Sequence, residues 1–318
     1  MQPYPNFGVN LTVDELLSLR QQASVLDLAS KYNVSSTLAG GYRSKFRGRG
    51  MDFDEVRLYQ PGDDIRNIDW RVTARTGKAH TKLFKEERER PVFILLDQSP
   101  NLFFGSKNAF KSVIAARAVA LLVWACINAG SRIGGVLFDD KNHLEHRPSG
   151  RRKEALSFLK KLTERHNRVI ERINSGTINV AQSAESSFEQ SLGRLRRLAK
   201  PGSLIYLFSD FTQMSKDAQR HLGQLCRHND IQAYLLTDPL DHHLPPSGYY
   251  SVTDGQQVGR INTGEGQMQE RYFKSYQQRL DDLNTIFKQQ KILFQELTTS
   301  DDLAIVLAAA NTPRVISR

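Results

Sequence analysis

Cysteine is scarce in this chain. The two residues among 318, Cys126 and Cys226, cannot build a disulfide framework. Both lie in apolar, helix-like surroundings, as expected of buried free thiols in a reducing compartment. The opening MQPYPNFGVNLTVDELL has no charged n-region and no following apolar run, so no secretory signal is read there and the expected location is cytoplasmic. Long apolar runs are missing too. The longest, from Val113 to Ile127, is broken by Arg117 and falls short of the about 20 residues that span a bilayer, so no membrane span is expected. No G-x-G-x-x-G and no P-loop follow any predicted strand, which argues against dinucleotide binding and ATP hydrolysis. The nucleophile elbow G-x-S-x-G and the zinc motif H-E-x-x-H are absent, and of eight histidines only His242 and His243 are paired, in a polar loop. The chain is therefore expected to be no enzyme.

What is present is an ordinary globular composition, 39% hydrophobic and 25% charged, in a length suited to one large α/β domain with an appendage. Three stretches differ in rhythm. Residues 1–40 hold one amphipathic helix with linker, opened by Thr12 with Glu15 at capping-box spacing. Residues 41–90 are glycine-rich and alternating, with strands predicted at 53–59 and 79–84 around the turn Pro61-Gly62-Asp63-Asp64. From residue 91 to 318, continuous apolar runs (92–96, 132–138, 203–208, 231–236, 291–297) alternate with helical stretches at 107–129, 151–164, 187–199, 215–229, 266–289 and 301–310. Such alternation predicts a Rossmann-like, mostly parallel sheet with helices on both faces, and a small β-rich N-terminal appendage before it. Asp254-Gly255 predicts an edge hairpin near 249–262. Trp70 and Trp124 are expected in the core or at a domain contact.

In an open α/β sheet, ligands bind beyond the carboxyl ends of the strands. There the chain places Asp97-Gln98-Ser99-Pro100-Asn101 and Ser209-Asp210. Two strand-end aspartates with hydroxyls beside them suit a hard divalent cation such as Mg²⁺. The competing reading is that each aspartate only caps the helix that follows.

Residues 48–70, GRGMDFDEVRLYQPGDDIRNIDW, resemble the signature of the DUF58 family. Thr73-Ala74-Arg75-Thr76-Gly77, Lys82 to Arg88, Leu96 to Pro100 and Phe104-Gly105 continue the resemblance, which extends more loosely to about residue 310. The resemblance implies a von Willebrand factor type A-like domain and action beside a MoxR-type AAA+ ATPase in chaperone-like assembly or maturation. It also implies a metal-ion-dependent adhesion site built on D-x-S-x-S, a hydroxyl from a second loop and an aspartate from a third. Asp97 and Ser99 match the first two positions, Asn101 replaces the last serine, Ser186 or its neighbour Ser187 stands for the second loop, and Asp210 for the third.

The signature residues Arg57, Tyr59, Pro61, Gly62, Asp63, Asp64, Arg66, Asp69, Trp70 and Arg75 admit two readings, a recognition surface or an internal ion network. The network is preferred because both signs are interleaved, with Arg66 and Asp69 three residues apart around Trp70. The net charge of +10 is local. Segment 147–172 contributes +6 and segment 190–200 the remaining four. Arg151, Arg152, Lys153, Lys160, Lys161, Arg194, Arg196 and Arg197 are the candidate docking face for an acidic protein. Nucleic-acid binding or a metal-dependent nuclease is the alternative, weakened by the lack of stacking aromatics in both segments.

Overall fold

The computed structural model describes residues 8–26, 51–86, 90–177, 186–253, 258–264 and 266–311. They fall into two units: Met1–Ser36 with Arg90–Arg318, and Thr37–Glu89. Helix α1 (Val13–Ser18) belongs to the larger unit. Thr12 caps it by accepting the Glu15 amide at 3.2 Å. The reciprocal half of the expected capping box is not made. Glu15 turns its carboxylate to Arg117 at 2.6 Å, and both side chains are buried. Leu11, Leu16, Leu19 and Ala23 join the main core, and Trp124 donates its indole N–H to the Leu16 carbonyl at 2.9 Å. Residues 8–26 are thus part of the large unit's core, where the pattern suggested a separate N-terminal segment.

In the smaller unit, β1 (Met51–Leu58) pairs antiparallel with β2 (His80–Glu86). Between them lies a helix that the alternation did not announce, α2 (Trp70–Thr76). Its signals are its ends. Asp69 accepts the amides of Arg71 and Val72 at 3.0 and 3.1 Å, and Gly77 closes the helix at φ 69°, a left-handed turn that glycine takes without strain.

The period of two in the apolar runs builds the large unit. In β3 (Val92–Asp97), Val92, Ile94 and Leu96 face one core, while Phe93 and Leu95 face the other. The same alternation holds in β4 (Ile133–Phe138), β6 (Leu204–Ser209) and β7 (Asp230–Thr237). With β5 (His143–Ser149) and β10 (Leu293–Thr298) these strands form a six-stranded sheet ordered β10-β7-β6-β3-β4-β5. All neighbours are parallel except the β4–β5 pair. The expected mostly parallel α/β sheet is therefore what forms. β5 went unread because its sequence is polar and carries Pro148, which an edge strand tolerates. Gly135 is required in β4: a Cβ there would lie 2.2 Å from the Ile94 carbonyl oxygen of the neighbouring strand.

Helices cover both faces. One core contains α3 (Lys111–Asn128), α4 (Arg152–Asn174) and α9 (Leu303–Asn311) together with α1. The other contains α5 (Ser186–Leu198), α6 (Lys216–Leu225) and α8 (Gly266–Gln289). Among the described residues α3 is the one helix long and apolar enough to cross a membrane, by length and composition alone. It is apolar all round because it is buried all round, between the sheet and α1, α4 and α9. α4 runs ten residues beyond the predicted 164, with Arg165, His166, Val169 and Ile170 buried along the added turns. A short α7 (Pro239–His242) follows β7, and β8 (Tyr249–Thr253) pairs antiparallel with β9 (Val258–Asn262) as the predicted hairpin. Its Asp254-Gly255 turn lies outside the described residues.

Cys126 is buried and free; Cys226 is free but half-buried, more open than its sequence setting suggested. Trp124 is in the core. Trp70 is not: it is 68% exposed.

Candidate functional site

From β3 the chain moves to β4 on one side and later returns to β6 on the other. The crevice between the carboxyl ends of β3 and β6 is the topological switch point, the place where such sheets bind ligands. Asp97 and Asp210 stand there.

Asp97 is 2% exposed. One of its oxygens accepts the Ser99 amide at 2.8 Å, and the other accepts the Ser209 hydroxyl at 2.6 Å. Ser209 in turn accepts the Phe211 amide at 3.0 Å. Asp210 accepts both the amide and the hydroxyl of Thr212, at 3.0 and 2.7 Å, through the same oxygen. Phe211 holds a left-handed backbone, φ 53°, which a bulky residue adopts only under compulsion. The compulsion is its ring, packed against Phe188, Phe287 and Phe294. An aromatic anchor on one side of Asp210 therefore fixes the turn that carries the carboxylate.

The electrostatics are unusual for strand-end aspartates. Burial, and then the negative charge of Asp210, push the Asp97 carboxyl up to about 7. Among the described residues no lysine or arginine side chain bonds either carboxylate; Arg279 of α8 reaches Asp210 but donates to its backbone carbonyl. Among the described residues the buried Ser99 hydroxyl makes no hydrogen bond of regular geometry, though it lies near enough to the Asp97 carboxyl to favour its ionised form. The two carboxyls and the Ser99 hydroxyl offer only oxygen donors, the kind hard divalent cations take; no group of three or more histidine, cysteine or carboxylate side chains able to hold a metal ion occurs among the described residues. Beside them lies a cleft lined by Lys111, Asp210, Thr237, Asp241, Tyr276 and Arg279, in which Lys111 pairs with Asp241 at 3.2 Å.

The other sequence candidates are scattered in fate. Asn101 sits half-buried in the short turn Pro100–Leu102, and its side chain makes no hydrogen bond among the described residues. Ser186 opens α5, and its side chain lies outside the described residues. Ser187 is committed elsewhere, donating its hydroxyl to the Asp139 carbonyl. Thr212 and Arg279 have no signal in the sequence, and Ser209 stands there only as a hydroxyl beside a strand-end aspartate. For Ser209 a signal existed, since a strand-end hydroxyl beside an aspartate is well placed to hold a neighbouring strand's carboxylate.

In the basic segments Arg151, Arg152, Lys153, Lys160, Arg196 and Arg197 are exposed, while Lys161 and Arg194 are half-buried. Part of the charge is neutralised internally: Arg165 pairs with Asp139 at 2.7 Å, Arg172 pairs with Asp140, and Arg194 bonds Glu145 at 3.1 Å. In the signature segment Arg57 pairs with Asp63 at 2.7 Å, and the Tyr59 hydroxyl reaches the Asp63 carbonyl. Pro61 and Gly62 form the turn between, Gly62 at φ 106°. The expected Arg66–Asp69 pairing is not formed: Asp69 is used as the α2 cap and bonds Lys82 at 3.5 Å.

Fold and strand-end site together define a mixed α/β protein with a parallel-sheet crevice carrying two aspartates whose carboxylates no lysine or arginine bonds among the described residues. The chain belongs to the family described as "Protein of unknown function DUF58", whose model matches residues 55–281. It is 26% identical over 232 residues to an uncharacterized protein of Mycobacterium tuberculosis and to one of Mycobacterium bovis, covering 73% of this chain and 69% of each relative. It is 36% identical over 66 residues to the uncharacterized protein YeaD of Bacillus subtilis, covering 21% of this chain and 15% of that protein. Among solved structures, an aerotolerance-related membrane protein from Bacteroides fragilis aligns with TM-score 0.43 and 14% identity over 70% of this chain and 96% of that one. BatB from Bacteroides thetaiotaomicron aligns with TM-score 0.41 and 12% identity over 69% and 96%.

Proposed function

We propose that this protein is a non-enzymatic interaction module of the von Willebrand type A kind, binding an acidic partner through a divalent cation at the β3–β6 crevice. The observation that supports this most is Asp97: a buried carboxyl, close to the charge of Asp210, with no cationic side chain bonded to it among the described residues. Mg²⁺ held by Asp97, Ser99 and Asp210 would neutralise the pair and engage the Ser99 hydroxyl. Ser209 would orient Asp97 by its hydrogen bond, and Phe211 would hold Asp210 in place. When bound, the cation would offer an open position to an acidic oxygen of the partner, and Arg279 at the rim would favour the approach of that negative charge. The reading includes a MoxR-type AAA+ ATPase as partner in assembly or maturation, which rests on the signature resemblance alone.

Calorimetry with Mg²⁺ and Mn²⁺ tests the site. Wild type is expected to bind one of the ions and Asp97→Ala neither; heat from neither protein would remove the cation mechanism. Mixing with a purified MoxR-type ATPase tests the partner, and failure to co-elute would count against it.

A further inference from the structure

The signature segment treats its two signs of charge differently. Among its described side chains the carboxylates build turns: Asp63 holds Arg57 and the Gln60 amide, Asp64 caps the turn at Ile65–Asn67, and Asp69 caps α2 and bonds Lys82. Its arginines beyond Arg57 are not used. Arg66, Arg71 and Arg75 are exposed and make no side-chain hydrogen bond or ion pair among the described residues. On α2, Trp70 and Ala74 are one turn apart, as are Arg71 and Arg75, so the two pairs form adjacent stripes of one outward face. The half-buried residues Val72 and Thr73 lie on the other side, where Thr73 accepts the His80 amide at 3.0 Å. Trp70 is 68% exposed, and Ile65 just before it is 64% exposed. An exposed tryptophan flanked by unpaired guanidinium groups has the composition of an interface hot spot.

We infer that the outward face of α2, with Trp70, Arg71, Ala74 and Arg75 at its centre and Ile65 and Arg66 before it, docks an acidic protein segment that also carries an apolar side chain. Charge complementarity names the partner's sign, and Trp70 with Ile65 names its apolar anchor. A nucleic-acid strand fits less well. Only one exposed aromatic is offered on this face where successive bases need several. A membrane surface fits less well too, since a helix of seven residues has no long apolar stripe to bury. This surface is independent of the cation at Asp97.

The test uses the two tryptophans, one exposed and one buried. The full chain is titrated with a short synthetic peptide of alternating Asp/Glu and Leu/Phe, with oligo(dT), and with anionic vesicles, while acrylamide quenching of the emission is followed. The peptide is expected to shield Trp70 from acrylamide and shift its emission to the blue. The charge reversal Arg71→Glu with Arg75→Glu is expected to weaken peptide binding about tenfold or more, and Trp70→Ala about thirtyfold by fluorescence-polarisation titration of labelled peptide. Arg220→Glu, an exposed arginine of α6, is expected to leave binding unchanged. Both α2 variants lie on the surface, and far-ultraviolet circular dichroism checks that they fold. Unchanged quenching with peptide, equal binding by the charge-reversed variant, or tighter binding to oligo(dT) or vesicles than to peptide would overturn the inference.

Discussion

Four aspartates end strands of the parallel sheet, and they divide into two pairs. Asp139, after β4, is buried but neutralised by Arg165 at 2.7 Å, with Arg172 at 3.9 Å, and accepts the amides of Lys141 and Asn142 at 2.8 Å. Asp238, after β7, is held below the usual carboxylate range: burial works against its charge, but hydrogen bonds from Ser106, Leu240 and Thr299 outweigh it. Asp97 and Asp210, at the crevice between β3 and β6, have hydrogen bonds but no bonded cation among the described residues. Asp139 is held by a bonded arginine and Asp238 by hydrogen bonds that keep it ionised, whereas burial and its neighbour's charge push Asp97 the other way. The same residue type at the same kind of position thus meets different surroundings, and the local balance of burial, hydrogen bonds and neighbouring charge decides its state.

The largest expected effect sharpens this contrast by pH. Asp97 binds its proton more tightly folded than unfolded, so between about pH 4 and 7 the folded state carries more protons and stability falls as pH rises. With divalent ions chelated, the loss across that window is expected to be the largest of the stability effects, on the order of a few kcal/mol. Denaturant midpoints across the window measure it. Asp97→Asn should flatten this part of the profile, and saturating Mg²⁺ should flatten it in wild type; an unchanged slope in Asp97→Asn would sink the assignment.

A somewhat smaller effect breaks the contrast from the other side. Arg165→Met turns Asp139 into a buried carboxylate with only the more distant Arg172, and should cost about 3 kcal/mol in urea unfolding. Adding Asp139→Asn should recover much of that loss, because the uncompensated charge is then gone. The smallest of the three is Asp238→Ala, which removes the α7 cap and the acceptor for Ser106 and Thr299. Its cost is expected to be about 2 kcal/mol in thermal unfolding, with no dependence on divalent ions.

Much of the sheet was legible because its strands announce themselves by continuous apolar runs, from Val92 to Leu96 and from Leu204 to Phe208. Burial on both faces demands such runs. β5 was not legible, since an edge strand needs no such run and His143 to Ser149 reads as a charged loop. α2 was not legible because a seven-residue helix rests on its ends more than on its periodicity. At the crevice, Asp97, Ser99 and Asp210 could be named from their places at strand ends. What stayed open was which aspartates are already paired. That depends on Arg165 and Arg172, whose reach to Asp139 and Asp140 crosses from α4 to the loop after β4. Trp70 was misjudged because tryptophan's size suggests burial, and only its neighbours in space reveal the face it stands on.

The smaller unit is spliced between two stretches of one core, with α1 on its upstream side and the whole sheet downstream. A cut within it would therefore sever the chain without separating the pieces. The upstream fragment would still be gripped by the Glu15–Arg117 ion pair, by the Trp124 indole on the Leu16 carbonyl, and by Asn167, which donates to the Leu11 carbonyl and accepts its amide. A nicked molecule would travel as one particle until it was unfolded. The docking face on α2, leashed at both ends, would lose one leash and keep the other.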